Sequence, residues 1–464
     1  MGSDWDAIVI GAGPAGIAFA AEASGFGLKV LVIDEQECPG GQIYRNIENQ
    51  GAGQLSVLGP DYGHGEGLVK SFRSSGAAYL PGSTVWKVEA DGRVCYSSKG
   101  ESREIKARRI VIATGAMERP VPFPGWTLPG IIGVGAVDTL FKSSGMVPEG
   151  PVTMVGNGPL MLSVANHLCE LGVEISHFLE TRSPLPGPDA ISSLPRALTR
   201  PGYLLKGAAM LVKTIRGAGQ MKTNVTGYAA TGTGRVRGLS FSRGRKRENI
   251  AAGTVLVHEG IIPRSEFARQ LGLEHLWDPV QRYWYPKTDQ AGRTSSKNVY
   301  ITGDGAFVHG AVPAELKGRL AAIDIASDLQ RLSEAETRKR KQPVIKALEG
   351  ELAPRPFVDS MYQPRESLYA VDDATLVCRC EEVTAEKIRT AVIQGMTTPE
   401  MVKSLTRCGM GPCQSRMCSS ALAEIIAKET GQMVDQLTPV SIRPPVRNIP
   451  IGEFTRMELI KEGN

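Results

Sequence analysis

Apolar runs of five or six residues recur along the chain, each followed by a turn of small residues and then by a longer alanine- or leucine-rich stretch. WDAIVI (5–10) leads into Gly11-Ala12-Gly13-Pro14-Ala15-Gly16 and IAFAAEA, and KVLVI then ends at Asp34. Runs without alternation, bounded by glycine, predict parallel strands buried on both faces; the stretches between them predict crossover helices. The same order returns at PVTMV (151–155), Gly156-Asn157-Gly158-Pro159-Leu160-Met161, LMLSVANHLCELG, VEISHFL and Glu180. RRIVIATGA (108–116) and NVYITGDGA (298–306) are strands ending in small-residue turns, the second followed by the helix AVPAELKGRLAAIDIASDL. An α/β fold follows, with parallel strands joined by crossover helices.

Past about residue 335 the pattern changes. SEAETRKRKQPVIKALEGELAPRPF reads as helix plus linker. From Ala374 a small, mainly helical unit begins. TAEKIRTAVIQG is a helix opened by Thr384 and stopped by Gly395; Thr398-Pro399 opens PEMVKSL; SSALAEIIAKETG closes the unit as an amphipathic helix.

The 464 residues suggest about two to four domains. A formal net charge of +5, with scattered basic residues, is too weak for a nucleic-acid partner. The run Arg338–Lys341 reads as a solvated helix face. No apolar stretch reaches the ~18 residues of a membrane-spanning helix. A strand starts almost at the N-terminus, leaving no room for an export signal, so a cytoplasmic location is expected. Reducing surroundings disfavour structural disulfides, and clustered cysteines then read as metal ligands or redox groups. Cys38, Cys95 and Cys169 stand apart and are expected to be small buried hydrophobes.

In the first unit Gly11 allows a tight turn, Gly13 lets backbone approach a pyrophosphate and Gly16 lets helix pack on strand. The first helical amides face the phosphates. Asp34, with Glu35 beside it, can accept hydrogen bonds from a ribose diol. Taken with Ala113-Thr114-Gly115, with Gly303-Asp304 and with PGGQIY at 39–44 (Gly41, Gln42), these motifs resemble the two-dinucleotide-binding flavoproteins related to thioredoxin reductase and glutathione reductase. The resemblance implies FAD bound by Gly11, Gly13, Pro14, Ala15, Gly16, Asp34, Glu35, Gly41, Gln42, Ala113, Thr114, Gly115, Gly303 and Asp304. NAD or ATP in the same slot stays open. It also implies two Rossmann-like domains, the second an inserted NAD(P)H domain. There Met161 replaces the third glycine, a thioether expected to push helix from strand and crowd a pyrophosphate, while Glu180 can still hold a ribose. NAD(P) binding is left undecided between a working site and a retained fold. No CxxC accompanies the flavin motifs, so disulfide reduction is not expected.

Five of the eight cysteines lie between 378 and 418: Cys378, Cys380, Cys408, Cys413 and Cys418. Thiolates on short loops beside helices suit four-sulfur ligation, by zinc or by an iron–sulfur cluster. Spacings of CxC and Cx₄C differ from zinc knuckles. The phrase TRCGMGPCQSRMC resembles the bacterioferritin-associated-ferredoxin-like (BFD-like) [2Fe-2S] domain fused to subunits of amine-oxidising flavoenzymes. That resemblance implies Cys378, Cys380, Cys413 and Cys418 as ligands, with Cys408 nearby and unligated; spacing alone does not exclude Cys408. Gly409 and Gly411 would turn amides toward the sulfurs. Arg379, Arg407 and Arg416 either offset cluster charge or face solvent.

ATGAMERPVPFPGWTLPGI (113–131) and SIRPPVRNIPIGEF extend the likeness to nearly the whole chain, which resembles the family of opine oxidase A subunits, hydrogen cyanide synthase B subunits and sarcosine oxidase alpha chains. The family implies an oxidoreductase acting on CH–NH bonds as part of a complex. A partner β subunit of the D-amino-acid-oxidase type would oxidise the amine. This chain would pass electrons through flavin, FMN at the subunit interface and [2Fe-2S] to an acceptor such as a quinone, with a small ferredoxin-like chain completing the assembly. The alternative is a stand-alone NAD(P)H-dependent flavin and iron–sulfur reductase. No catalytic residue is expected here. The predicted division is 1–118 with 290–335 for FAD, 119–289 for the inserted domain, 336–373 for the linker, 374–440 for the BFD-like [2Fe-2S] domain and 441–464 for the tail.

Overall fold

The computed structural model describes residues 5–183 and 186–457; the end of the predicted tail, 458–464, lies outside the described residues. Strand Trp5–Ile10 sits at the centre of a seven-stranded sheet, parallel to Val30–Ile33 on one side and to Glu101–Ile112 on the other. Ala78–Leu80 extends one edge. Glu101–Ile112 is long enough to serve twice. Its end lies parallel to Trp5–Ile10 and to Val299–Ile301, while its first half pairs antiparallel with Arg93–Ser98. Ile8, Val9 and Ile110 are fully buried, as apolar runs covered on both faces must be. Helices Pro14–Gly25 and Ala311–Asp328 pack together on one face.

A second, five-stranded parallel sheet runs in the order Ala218–Lys222, Ile175–Glu180, Val152–Asn157, Val255–Glu259, Ile131–Gly133. Its helix Pro159–Glu170 starts at the second glycine-rich turn. An antiparallel pair, Ala116–Glu118 with Ile261–Pro263, joins the two sheet systems. The fold is therefore α/β with two Rossmann-like units and a small C-terminal helical unit.

In that last unit the hairpin Leu376–Cys378/Val383–Thr384 precedes helices Ala385–Ile393, Pro399–Thr406 and Ser419–Thr430. Both expected N-caps form: the Thr384 hydroxyl accepts from Lys387 N–H, and that of Thr398 from Met401 N–H. Val377, Ile388, Val402, Leu422 and Ile426 fill its core, each fully buried aliphatic side chain contributing about 2 kcal/mol. The unit is bolted to the body. Trp126 Nε1 donates to the Leu376 carbonyl at 2.7 Å, and Arg282 pairs with Glu424, which is 9% exposed.

The linker is ordered as helices Glu334–Leu352 and Arg355–Met361. Arg338, Lys339 and Arg340 are exposed, as expected of a solvated face, and Lys341 reaches Asp324. Cys95 is buried, but Cys38 and Cys169 are only half-buried. Cys38 lies in a loop and accepts from Asn49 Nδ2, and Cys169 sits in the last turn of its helix against the backbone of Gly217. Among the described residues no helix is long and apolar enough to cross a membrane.

Candidate cofactor sites

The first site is built where parallel strands end. Gly11 has φ +106°, and a Cβ there would lie 2.5 Å from the Ala113 carbonyl oxygen, so turn and strand end touch. Gly13 differs: its φ is ordinary and a Cβ would meet nothing closer than Gly41 Cα at 3.9 Å. No neighbour in the protein requires glycine at 13, whereas a pyrophosphate lying on that backbone does. Gly11, Gly13, Pro14 and Gly41 are half-exposed, and Ala15 and Gly16 are buried beneath them. Gly40 N–H donates to the Ala12 carbonyl at 2.8 Å, holding the 39–44 loop against the turn.

Asp34 Oδ2 accepts from Ala12 N–H at 2.5 Å and Oδ1 from Gln36 N–H at 2.7 Å. Burial pushes its carboxyl above the usual range against those two bonds. Glu35 instead turns outward to Arg447 at 2.8 Å, holding the C-terminal tail. Gln42 is exposed and accepts from Thr139. Gly115 receives the Arg264 N–H on its carbonyl, and Gly303 is packed against Ala15. Asp304 Oδ1 accepts from His309 and Gly310 N–H at 2.8 and 3.0 Å, where helix Ala311–Asp328 begins. The sequence-predicted residues thus converge on one crevice, except Glu35 and Gln42, which stand at its rim. The cradle fits a dinucleotide such as FAD.

Lys317 escaped the sequence reading. Its Nζ donates to His309 Nδ1 at 2.8 Å beside that crevice, and burial lowers it to about 8. A lysine flanked on its helix face by Pro313, Ala314, Leu320 and Ala321 was the available clue.

In the second unit Met161 is 1% exposed and packs into the core with Val152, Leu168 and Phe178. The thioether therefore fills space between helix and sheet instead of forcing them apart. Glu180 is 3% exposed and is bonded by Arg182 Nε at 3.0 Å.

The sulfurs gather in one place. Those of Cys378, Cys408 and Cys418 lie within 4.8 Å of one another and are buried. Cys380, exposed, and Cys413, half-buried, touch each other beside Gly411. Bonds from the Cys408 and Cys418 thiols, then from the Gly409 and Glu381 amides, hold the Cys378 thiol well below the usual thiol range. Giving those bonds leaves the Cys408 and Cys418 thiols raised. The expected four are all present, and Cys408 sits inside the group, not beside it. Five soft thiol donors on loops with inward amides fit a sulfur-ligated iron centre. Of the arginines, Arg379 is exposed, Arg407 pairs with Glu381 at 2.8 Å, and Arg416 Nε bonds the Cys413 carbonyl at 3.0 Å. Arg269, also missed from sequence, reaches the cysteine loop from the body; nothing in its local pattern marks it.

The family described as pyridine nucleotide-disulphide oxidoreductase matches residues 5–328, and the BFD-like [2Fe-2S] binding domain matches residues 376–428. The A subunit of opine oxidase from Agrobacterium tumefaciens (strain Ach5) is 37% identical over 98% of this chain and 92% of its own. Hydrogen cyanide synthase subunit HcnB of Pseudomonas protegens is 30% identical over 96% and 97%. The crystal structure of L-proline dehydrogenase from P. horikoshii shares the fold, with a TM-score of 0.72 at 20% identity over 97% of this chain and 79% of that one. A flavin-type body and an iron–sulfur unit thus lie in one oxidoreductase chain, and the chain belongs to the family of opine oxidase A subunits.

Proposed function

We propose that this chain is the electron-transfer subunit of a heteromeric opine oxidase or dehydrogenase. The CH–NH bond is broken on a partner, an FAD-dependent amine-oxidising β subunit of the D-amino-acid-oxidase type. FMN lies at the interface, a small ferredoxin-like chain completes the complex, and the acceptor is quinone-linked. The complex works in the cytoplasm.

The observation that carries this reading is the joining of two cofactor sites in one body, with Arg269 of the flavin-type part bonded to Ser415 inside the cysteine loop at 2.7 Å. Near-complete matches to opine oxidase A subunits support it. Bound together, FAD and [2Fe-2S] would supply the conversion between two-electron and one-electron transfer. For FAD, Gly11, Gly13, Pro14, Ala15, Gly16 and Gly41 cradle the pyrophosphate. Asp34 takes the ribose hydroxyls, Ala113, Thr114 and Gly115 wall the crevice, and Gly303 and Asp304 orient the remainder. Cys378, Cys380, Cys413 and Cys418 hold the iron. The chain's own work is to bind, orient and insulate.

The second glycine-rich turn favours one other reading, a self-sufficient NAD(P)H-dependent reductase. Anaerobic mixing separates the two. Flavin bleaching in the partnered complex on adding an opine, with the single chain inert to NADH, is the expected result. Bleaching of the single chain by NADH would replace the proposal with the reductase, and inertness under both conditions would overturn both.

A further inference from the structure

In open α/β sheets ligands enter the crevice at the carboxyl ends of the strands. In the second unit those ends are Asn157, Glu180 and Glu259, and all are buried. What covers them is the chain itself. The Gln363 carbonyl accepts from Asn157 Nδ2 at 3.4 Å, inside the glycine-rich turn. Arg365 Nε donates to the Thr181 carbonyl, directly after the strand ending at Glu180, and Nη2 donates to Asn224 Oδ1 at 2.6 Å. Tyr362 lies under the Arg182 guanidinium, 5.7 Å from ring centroid to Cζ, and Arg182 in turn holds the Glu180 carboxylate. Pro364 is buried.

The two glycine-rich turns of this chain make an internal comparison. Gly13 is half-exposed and no neighbour requires it to be glycine. Gly156, Asn157 and Gly158 are all buried. A Cβ on Gly156 would lie 1.7 Å from the His258 carbonyl oxygen, and one on Gly158 3.2 Å from His258 Nε2. Gly156 packs on a neighbouring strand's carbonyl as Gly11 does, so the difference lies at the second glycine: Gly158 is backed by the His258 ring, where Gly13 meets nothing close. The acid that would take a ribose is already engaged by Arg182.

We infer that residues 362–365 form a strap that fills the second dinucleotide crevice, so that this unit excludes nicotinamide dinucleotides while the strap is seated. The strap leads straight into the cysteine unit, where Tyr369 is part of the core. Opening the crevice would therefore pull on that unit. The inference does not rest on the opine reading; it bears on the reductase alternative.

The test is equilibrium binding of NADH and NAD⁺ to the intact, FAD-loaded chain, its first crevice thus filled, and to the Y362A/R365A variant in the same state. No saturable binding is expected for the natural chain up to about 1 mM, the top of the ordinary substrate range. The variant should gain at least about tenfold in affinity, because a binding-competent population that was suppressed becomes available. Binding to the natural chain overturns the inference, and so does a folded variant without gain. Should the double variant fail to fold, Arg365→Gln decides: a gain in NADH affinity of at least about tenfold supports the strap, and a folded single variant without gain overturns it. Opine-driven flavin reduction is untouched by any of these results.

Discussion

Arg269 Nη2 donates to Ser415 Oγ at 2.7 Å while its Nε donates to the Val440 carbonyl at 2.8 Å, so one guanidinium ties the flavin-type body to both the cysteine loop and the segment leaving it. Burial of that guanidinium lowers it to about 10. Replacing Arg269 with alanine leaves the carbonyl and the hydroxyl without their donor. A loss of about 3 kcal/mol is expected, with reduced iron content, read by thermal unfolding and by the visible spectrum. Lysine should restore little of it, since its ammonium lacks the fixed planar fork that spans these two acceptors.

The cysteine group invites a comparison at five positions. Serine at Cys378, Cys380, Cys413 or Cys418 should lower bound iron and acid-labile sulfide at least about tenfold. Cys408→Ala should keep most of both. Loss of iron in Cys408→Ala, with retention in the Cys380 or Cys413 variant, would shift the ligand set to the buried trio.

Gly16 sets the distance between the first helix and its turn. A Cβ there would lie 1.9 Å from the Gly11 carbonyl oxygen, and the obstacle is backbone that cannot swing away. Gly16→Ala should cost about 3 kcal/mol and lower the flavin retained on purification. Gly13→Ala, which meets no protein atom closely, should fold normally and lose flavin alone.

Glu259 gives the stability a pH dependence. Burial pushes its carboxyl up to about 7, although Thr181 and Tyr228 donate to it at 3.0 and 3.1 Å. The folded chain thus holds this proton more tightly than the unfolded chain, where the value is 4.5. Its contribution is complete below that value and is lost as pH rises through about 7. The loss amounts to at most about 3 kcal/mol. Glu259→Gln, which cannot ionise, should flatten the fall; urea unfolding at pH values across that window measures it.

The local features were readable in the sequence because they are set by neighbours a few residues apart. WDAIVI is a strand over Trp5–Ile10, and Thr384 and Thr398 cap the helices they precede. Met161 shows the limit of motif reasoning: a residue judged by what it does to a ligand proved to be a core side chain. The position of Cys408 was open because spacing says nothing about a loop that reverses. Positive φ at Arg407, Gly409, Gln414 and Ser415 folds this one back. Arg269 and the strap join residues far apart in the chain, and such pairs leave no periodicity to find.

The sheet that carries the first crevice is completed by Val299–Ile301, which zips onto Glu101–Ile112 only after the whole second unit has been made. During synthesis the emerging chain therefore presents an unfinished hydrophobic edge for as long as translation of the intervening segment lasts. Chaperone demand and inclusion-body losses on overexpression should grow with the length of that interval, and slower translation of the intervening segment should lower the yield of flavin-loaded protein.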